Sequence, residues 1–357
     1  IEEYISPFWR PGFTLFHHCR FKDRVRRGVL VHSFLCAYVG GFPRAMTGTG
    51  DNPRLRVAEL YCGIGGCAAA VRPDAVVVSA VDINRQALAV YRRNFPHPTA
   101  AVTIESLPSA TLRDWQADLW WISPPCQPFT RRGLRRDNKD SRTQSFLEIL
   151  SRLKELTPRY LAIENVPGFQ GSITHSLLLD TLDNLGFHVQ ERVLCPTAFG
   201  IPNRRERYYL VAGKTPLREL PPPRVEARLL RDYLDKEPPP GLGVDADLVA
   251  KYQHALNVVD PLDSMAVASC FTAAYGHSPI RSGSYLKTPS GLRRFSPGEI
   301  LRLLGFPKSY TLPTDLPLET AWRLVGNSLS IHSVRYTLSA IPELSRLIRT
   351  EYRATTA

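Results

Sequence analysis

LRVAELYCGIGG, residues 55–66, is the stretch that decides the fold. Its first six residues form a short apolar run that predicts a buried parallel strand, and its glycines predict a tight turn into a helix. Glycines let the backbone approach a ligand closely, and a helix N-terminus offers free N–H groups. Gly63, Gly65 and Ala68 also fit the loose dinucleotide pattern GxGxxA. The turn therefore indicates a cofactor pocket, with a nicotinamide enzyme or a purely structural turn as alternatives.

Strands and helices continue to alternate up to residue 214. Apolar runs predict strands at 75–81, 119–122, 160–163, 189–194 and 208–211, and helical spacing predicts helices at 85–94, 145–156 and 177–185. This alternation predicts an α/β fold in which helices cover both faces of a parallel sheet. In such sheets, ligands bind at the carboxyl ends of the strands. The sequence places Gly63, Asp82, Cys126 and Glu164 at those ends.

The regular pattern breaks after residue 214, where Pro-Pro-Pro runs at 221–223 and 238–240 predict irregular linkers. We expect a catalytic cofactor-binding domain at 54–214 and a small irregular domain at 215–290. The segment 291–357 is expected to supply helices that complete the catalytic domain. Its predicted helices are at 297–304, 321–325 and 330–347.

The first 53 residues precede this pattern and are predicted to be an N-terminal extension. Met46 and Met265 are the only methionines, and Met46 stands just before the first predicted strand. We hypothesise that residues 1–45 are an over-extended N-terminus and that the native chain starts at Met46. A targeting arm is the alternative interpretation.

The composition is that of a globular protein with a basic surplus. Hydrophobic residues make up 43% of the chain and charged residues 22%, and no apolar run approaches the roughly 18 residues of a membrane span. The net charge of +12 favours a polyanionic partner, although it could simply provide solubility. The seven cysteines form no CxxC pair, so we expect reduced thiols and no metal site. Without a clear export signal, we expect the protein in the cytoplasm, the nucleus or both.

A single cysteine lies in the second notable stretch, SPPCQPF at residues 123–129. Its three prolines stiffen a loop at a strand end and would hold the thiol of Cys126 at the ligand edge. Residues 131–142 carry six Lys/Arg and two Asp. Nearby positive charge lowers a thiol pKa from about 8.5 and favours the nucleophilic thiolate. Most free cysteines are small buried hydrophobes, but this setting predicts a nucleophile.

Two further motifs place charged residues near the same edge. Glu164-Asn165-Val166 follows the predicted strand at 160–163 and predicts an acid in the site, with a solvated sheet edge as the alternative. In NRRER, residues 203–207, Arg205 and Arg207 point the same way if the segment is extended. A solvated run of charges would explain this motif as well.

Taken in order, these motifs resemble those of the cytosine-5 methyltransferase family: a glycine turn, Pro-Pro-Cys-Gln, Glu-Asn-Val and Arg-x-Arg. Gly326-Asn327-Ser328 resembles the last motif of the family, which completes the cofactor pocket, and the match runs from Arg54 to Ile341. The resemblance implies a Rossmann-like S-adenosylmethionine-dependent methyltransferase sheet with a small irregular target-recognition domain. A nicotinamide oxidoreductase would explain the glycine turn but not the later motifs.

Within this family, the chain is most similar to the tRNA aspartic acid methyltransferases. Cys270-Phe271-Thr272 matches their Cys-Phe-Thr signature, and the predicted recognition domain is short. This implies methylation of cytosine 38 in the anticodon loop of the aspartate tRNA. A DNA cytosine-5 methyltransferase is the alternative, because the same residues would serve it. An RNA-binding protein without catalysis would be expected to lack part of the catalytic set.

The resemblance also implies roles for individual residues. Cys126 is the thiolate that adds to carbon 6 of cytosine, Glu164 holds or protonates ring nitrogen 3, and Arg207, helped by Arg205, binds the base carbonyl or the adjoining phosphate. The implied contacts of the cofactor, S-adenosylmethionine, are Tyr61, Gly63, Ile64, Gly65, Gly66, Asp82, Ile83, Ile104, Pro124, Asn327 and Ser328. The implied substrate contacts are Gln127, Arg131, Arg135, Arg136, Lys139 and Cys270. We expect a monomer that acts on tRNA, with DNA as the alternative partner and no membrane association.

Overall fold

The computed structural model describes residues 54–125, 141–223 and 225–348, with the backbone alone at 141–143. The predicted N-terminal extension at 1–53, including the proposed start at Met46, lies outside the described residues. The segment from Cys126 to Asp140 also lies outside them.

A seven-stranded sheet forms the centre of the described chain. Its strands are β1 (Leu55–Leu60), β2 (Ala75–Val81), β3 (Thr99–Ala100), β4 (Leu119–Ile122), β5 (Tyr160–Asn165), β6 (His188–Leu194) and β7 (Arg207–Gly213). Their spatial order is β3-β2-β1-β4-β5-β7-β6. The first five strands run parallel, whereas β7 is antiparallel to both of its neighbours. The predicted α/β class is confirmed, and β7 alone of the seven strands departs from the predicted parallel direction.

Helices pack on both faces of this sheet, as predicted. The α-helices of the described residues are α1 (Gly66–Val71), α2 (Arg85–Asn94), α3 (Ser109–Asp114), α4 (Ser141–Leu156), α5 (Ile173–Asn184), α6 (Ala246–Tyr252), α7 (Pro297–Leu303), α8 (Leu318–Gly326) and α9 (Ile331–Leu338). Short 3-10 helices lie at Pro167–Phe169, Pro196–Phe199, Leu230–Tyr233 and Pro342–Ile348. The continuous helix predicted at 330–347 is wrong. It breaks after Leu338, and the chain resumes as a 3-10 helix at Pro342, which has no N–H to continue the helix.

The reason for the two helical layers is visible in β4. Its side chains alternate, so that Trp121 joins the apolar core with α1, α2 and α9, whereas Trp120 joins a second core with α4 and α5. Both tryptophans are almost completely buried. None of the helices in the described segments is long and apolar enough to cross a membrane.

A second, three-stranded sheet follows in the chain. Its strands are β8 (Val258–Val259), β9 (Tyr285–Thr288) and β10 (Gly291–Arg294), in the order β10-β9-β8. The domain boundary predicted between residues 290 and 291 falls in the turn that joins β9 to β10, so the two strands of this hairpin lie on either side of it. Beside it, the Tyr275 ring packs at 5.0 Å from the Phe271 ring and at 5.7 Å from the Trp322 ring of α8. This aromatic cluster fixes the position of Cys270, the residue before Phe271.

Candidate active site

The carboxyl ends of the parallel strands meet at one edge of the large sheet. Just beyond these ends, the backbone N–H of Cys62 donates to the Val81 carbonyl at 2.9 Å, and that of Ser123 donates to the Leu60 carbonyl at 3.3 Å. The loops after β1, β2 and β4 are therefore direct neighbours. This edge carries most of the residues that the sequence predicted for the site.

The glycine turn after β1 has one open side and one packed side. Gly63 has a φ of +52° and an added Cβ would meet no atom within 4 Å, so this residue faces open space. Gly65 has a φ of +90°, and a Cβ there would lie 2.5 Å from the Phe95 ring. At Gly66 a Cβ would lie 2.8 Å from Leu329. Gly63 thus leaves room for a ligand, whereas Gly65 and Gly66 allow close packing behind it.

The Asp82 carboxylate links two loops of this edge. It accepts hydrogen bonds from the backbone N–H of Gly63 at 2.8 Å and of Asn84 at 2.7 Å. Burial raises the pKa of Asp82, although the two N–H groups oppose this shift. Asn84 was not predicted in the site, but its position directly before a predicted helix is typical of an N-cap, and its side chain caps α2.

Glu59 lies beneath the glycine turn and is completely buried. Its carboxylate accepts a hydrogen bond from the Cys67 N–H at 3.0 Å and lies 3.1 Å from the Tyr91 hydroxyl, which in turn lies 3.1 Å from His97 Nδ1. Burial raises the pKa of Glu59 to about 8, against the opposing hydrogen bonds from Tyr91 and Cys67. Glu59 therefore anchors the start of α1 from below.

The other predicted cofactor residues differ in exposure. The Ile83 side chain is 68% exposed, whereas Ile104 is buried in a turn after β3. Pro124 and Ser328 are also buried, and Asn327 is exposed at the end of α8. An open glycine, a carboxylate and an exposed apolar side chain suit the hydroxyls and the flat ring of an adenosine cofactor. S-adenosylmethionine therefore fits the residues that are present.

Tyr310 and Ser145 also hold this pocket, and neither was predicted from the sequence. The Tyr310 hydroxyl donates to the carbonyl of Ile64 at 2.6 Å across 246 positions of the chain. The hydroxyl of Tyr61, which has a left-handed φ of 57°, is hydrogen-bonded to the Ser145 hydroxyl of α4. No local sequence signal connects residues that lie so far apart.

Glu164 and Arg207 form an ion pair at the same edge. Glu164 is the fifth residue of β5 and pairs in register with Tyr209 of β7, so that Arg207 stands close by. Arg207 Nε lies 3.3 Å from Glu164 Oε1, and both side chains are mostly buried. Burial raises the pKa of Glu164, although the positive charges of Arg207 and Arg205 oppose this shift. Burial therefore makes this acid easier to protonate than an exposed glutamate.

The sulfur of Cys270 lies against both arginines. Arg205 Nη1 donates to Cys270 Sγ at 3.4 Å, and Arg207 Nη2 donates to it at 3.7 Å. Arg205 and Arg207 therefore point the same way. Burial raises the pKa of the Cys270 thiol, but the charges of the two arginines outweigh it and hold this pKa below its ordinary value.

Arg205 also holds three backbone carbonyls. Its Nη1 donates to Phe271 at 2.8 Å, and its Nη2 donates to Gly326 at 3.1 Å and to Ser328 at 2.6 Å. Only 4% of the residue is exposed. The guanidinium that was predicted to help bind the substrate is thus engaged in joining Cys270-Phe271-Thr272 to Gly326-Asn327-Ser328.

The predicted nucleophile, Cys126, and five of the predicted substrate contacts lie outside the described residues. These five are Gln127, Arg131, Arg135, Arg136 and Lys139. The last described residue before Cys126 is Pro125, which lies just beyond the carboxyl end of β4. In the described ranges, no group of His, Cys, Asp and Glu side chains could hold a metal ion.

Comparison with known proteins agrees with the family that the sequence motifs resemble. The model of the family described as C-5 cytosine-specific DNA methylase matches residues 55–253. A human protein named tRNA (cytosine(38)-C(5))-methyltransferase is 32% identical over 398 residues, which cover 81% of this chain and 99% of that protein. The protein of the same name from Schizosaccharomyces pombe is 34% identical over 323 residues, with 81% and 97% covered.

A solved structure agrees in fold. The crystal structure of the S. pombe Dnmt2 methyltransferase superposes with a TM-score of 0.72 at 31% identity and covers 82% of this chain and 99% of that chain. The predicted methyltransferase fold and the predicted cofactor, S-adenosylmethionine, are thereby confirmed. The chain belongs to the C-5 cytosine-specific methylase family and is an S-adenosylmethionine-dependent C5-methyltransferase.

Proposed function

We propose that this enzyme methylates carbon 5 of a cytosine in tRNA, namely cytosine 38 in the anticodon loop of the aspartate tRNA. The contact of Cys270 with both site arginines carries this proposal, since it puts the Cys-Phe-Thr signature of the tRNA subgroup into the site itself. The names and the nearly complete coverage of the relatives from human and S. pombe support it.

The reaction begins with the Cys126 thiolate in our proposal. Its sulfur forms a bond to carbon 6 of the cytosine, and the electron pair of the ring double bond becomes available at carbon 5. When bound, S-adenosylmethionine would supply an electrophilic methyl group to carbon 5, and the electron pair of the broken sulfur–methyl bond would stay on the sulfur of the departing S-adenosylhomocysteine. The hydrogen of carbon 5 then leaves as a proton to a base, the ring double bond re-forms, and Cys126 departs as a thiolate.

Glu164 acts at ring nitrogen 3, which lies opposite carbon 6 in the cytosine ring. Its raised pKa makes the carboxyl easier to protonate, so that it can donate a proton to ring nitrogen 3 as negative charge develops during thiolate addition and take that proton back when Cys126 departs. Arg207 stands beside it, with its Nη1 donating to the Glu206 carbonyl at 2.7 Å. Its remaining donors are available for the base carbonyl or the adjoining phosphate. Arg205 acts as a positioning residue.

A tRNA loop suits this site energetically. The target base must leave its stack to reach the nucleophile, and that costs less for a loop base than for a base in a duplex. The basic segment 131–142 is proposed to hold phosphates, so that binding weakens as salt is raised. We further propose that the enzyme acts as a monomer, with 54–214 and 291–357 as the catalytic domain and 215–290 as the recognition domain.

The test is methyl transfer from labelled S-adenosylmethionine to total tRNA and to genomic DNA in parallel, with wild type and Cys126→Ala. We expect strong labelling of tRNA that disappears in the variant, while the variant still binds S-adenosylmethionine. Labelling confined to DNA would keep the chemistry and overturn the substrate. A variant that retains full activity would overturn the assignment of the nucleophile.

A further inference from the structure

The loop after β8 displays apolar side chains to solvent next to the site. Among the described residues, four of the nine large apolar side chains that are exposed lie within 258–267. Leu262 is 79% exposed and Met265 is 81% exposed. Single exposed apolar residues are common, but several in one short loop with this exposure indicate an interaction surface. We term Leu262 and Met265 the apolar ledge.

The apolar ledge is held by its own backbone. Asp260 accepts a hydrogen bond from the Leu262 N–H at 3.0 Å, and Asp263 accepts one from the Met265 N–H at 2.8 Å. Asp260 is also paired with Lys287 of β9 at 3.2 Å. The two carboxylates thereby hold the backbone of the loop at the two residues whose side chains are exposed. A preordered surface loses less entropy when a partner binds.

The ledge continues directly into the active site. The next residues run beside NRRER, where the Ala268 N–H donates to the Pro202 carbonyl at 3.0 Å and the Arg204 N–H donates to the Ala268 carbonyl at 2.8 Å. Cys270, which contacts both site arginines, follows Met265 by five residues. Five residues span at most about 18 Å, so Met265 lies no farther from Cys270 than the length of about five stacked bases at about 3.4 Å each.

Two exposed arginines lie along the segment that leads from the ledge past Cys270. Arg204 is exposed beside Ala268. Arg281 is exposed as well, and the next residue, Ser282, accepts a hydrogen bond from the Thr272 N–H at 2.8 Å. Exposed apolar side chains flanked by arginines match a single-stranded nucleic acid, whose bases need apolar contact and whose phosphates need cations.

We propose that Leu262 and Met265 receive an unstacked base of the tRNA loop next to the target cytosine. This inference rests on the proposed function. Apolar side chains such as Leu and Met are known to wedge against bases and keep them unstacked. The ledge would hold the neighbouring base away while the target cytosine enters the site, with Arg204 and Arg281 at the flanking phosphates.

The experiment compares wild type with Leu262→Ala/Met265→Ala in the full chain. We expect the KM for tRNA to rise about tenfold, with kcat and the affinity for S-adenosylmethionine within about twofold of wild type. The conservative variant Leu262→Met/Met265→Leu should keep a KM close to wild type. Ile173→Ala/Leu177→Ala on α5, where both side chains are also exposed at 56% and 40%, serves as a matched control without effect.

A second readout follows the base itself. An anticodon stem–loop with 2-aminopurine beside the target cytosine should brighten on binding to wild type, because that base leaves its stack. The Ala double variant should bind without this increase at saturating concentration. Suppose that wild type methylates tRNA and that the Ala double variant keeps the same KM and the same fluorescence increase. This result would overturn the inference about the apolar ledge and leave the proposed function intact.

Two other outcomes have distinct meanings. Wild type that labels only DNA overturns the proposed function, independently of any ledge variant. Wild type that sediments as a dimer, while the Ala double variant is a monomer with an unchanged KM, shows that a second copy of the chain covers the ledge. That result would also overturn the inference.

Discussion

Arg205 and Ser328 are joined by a hydrogen bond of 2.6 Å although they lie 123 positions apart in the chain. The same guanidinium donates to the Phe271 carbonyl, next to Cys270. One buried side chain therefore fixes the spacing between the segment that carries the subgroup signature and the segment that completes the cofactor pocket. Loss of the Arg205 guanidinium should therefore weaken the binding of S-adenosylmethionine and of tRNA together.

Substitution of Arg205 tests this link. Lys keeps the charge but lacks the planar fork that reaches three carbonyls, so Arg205→Lys should leave buried acceptors unpaired. We expect the free energy of unfolding to fall by about 2–4 kcal/mol, with weaker binding of both S-adenosylmethionine and tRNA. Urea unfolding and titration calorimetry would measure this. Arg204→Lys, at the exposed neighbouring position, is the control, and equal stability of the two variants would contradict the role.

Glu164 should determine the alkaline side of the pH–rate profile. Because the neutral carboxyl is the active form, the single-turnover rate should fall as the pH rises through the raised pKa of Glu164. Glu164→Gln should lower the rate by about 10²–10⁴-fold and remove that decline. Glu206→Gln, at an exposed neighbouring acid, should leave the profile intact. A wild-type profile without an alkaline decline would argue against Glu164 as the proton donor.

Gly63 and Gly171 form a matched pair for testing the cofactor turn. Both have a positive φ, at +52° and +80°, and an added Cβ meets no atom within 4 Å at either position. Replacement of either by Ala should cost about 1–2 kcal/mol of unfolding free energy through backbone strain. Only Gly63→Ala should weaken the binding of S-adenosylmethionine in calorimetric titration. Equal affinities would show that the open side of the turn does not face the cofactor.

Glu59 should make the protein less stable at high pH. Since its pKa is raised from 4.5 to about 8, the folded state holds the proton more tightly, and this stabilisation is lost as the pH rises through about 8. His97, whose burial lowers its pKa from 6.5 to about 4, acts in the opposite direction but only below about 6.5.

The effect of Glu59 can therefore be isolated between these values. From pH 6.5 to pH 8, wild type should lose unfolding free energy relative to Glu59→Gln, which cannot ionise. Urea unfolding at the two pH values would measure the difference. Parallel pH dependences of the two proteins would show that Glu59 is already ionised in the folded state.

Cys270 should react as a thiolate at unusually low pH. The charges of Arg205 and Arg207 hold its pKa below the ordinary 9.0 despite burial. Alkylation by iodoacetamide, followed by mass spectrometry of the Cys270 peptide, should be half-maximal below that pH. Arg207→Gln should move the midpoint upward, and Arg204→Gln should not. A midpoint that ignores Arg207 would refute this electrostatic account.

Continuous apolar runs predicted β1, β2 and β4 to the residue. The end of β5 was placed two residues too early, because a charged residue ended the apolar run at Glu164 while backbone pairing with β7 continued to Asn165. Apolarity reports burial, whereas pairing depends on a neighbouring strand that the local sequence does not contain. The direction of β7 could not be predicted for the same reason.

The site residues also divide into those that the sequence could predict and those that it could not. The motifs at 59–66, Glu164 and Arg207 were found because their chemistry depends on residue type, and the structure brings them to one edge. The engagement of Arg205 could not be predicted, because its acceptors at Phe271, Gly326 and Ser328 are backbone carbonyls, which every residue type carries. The anchoring of the glycine turn by Tyr310 has the same cause.

The reversal of β7 decides which residue can meet Glu164. Had this seven-residue strand run parallel to β5, its first residue would stand at the far edge of the sheet, about 20 Å away from Glu164. Arg207 would then be separated from the acid by the full depth of the protein core. By running backwards, the chain enters the sheet on the side where its neighbour leaves it, and a short segment before a strand becomes part of the reaction centre.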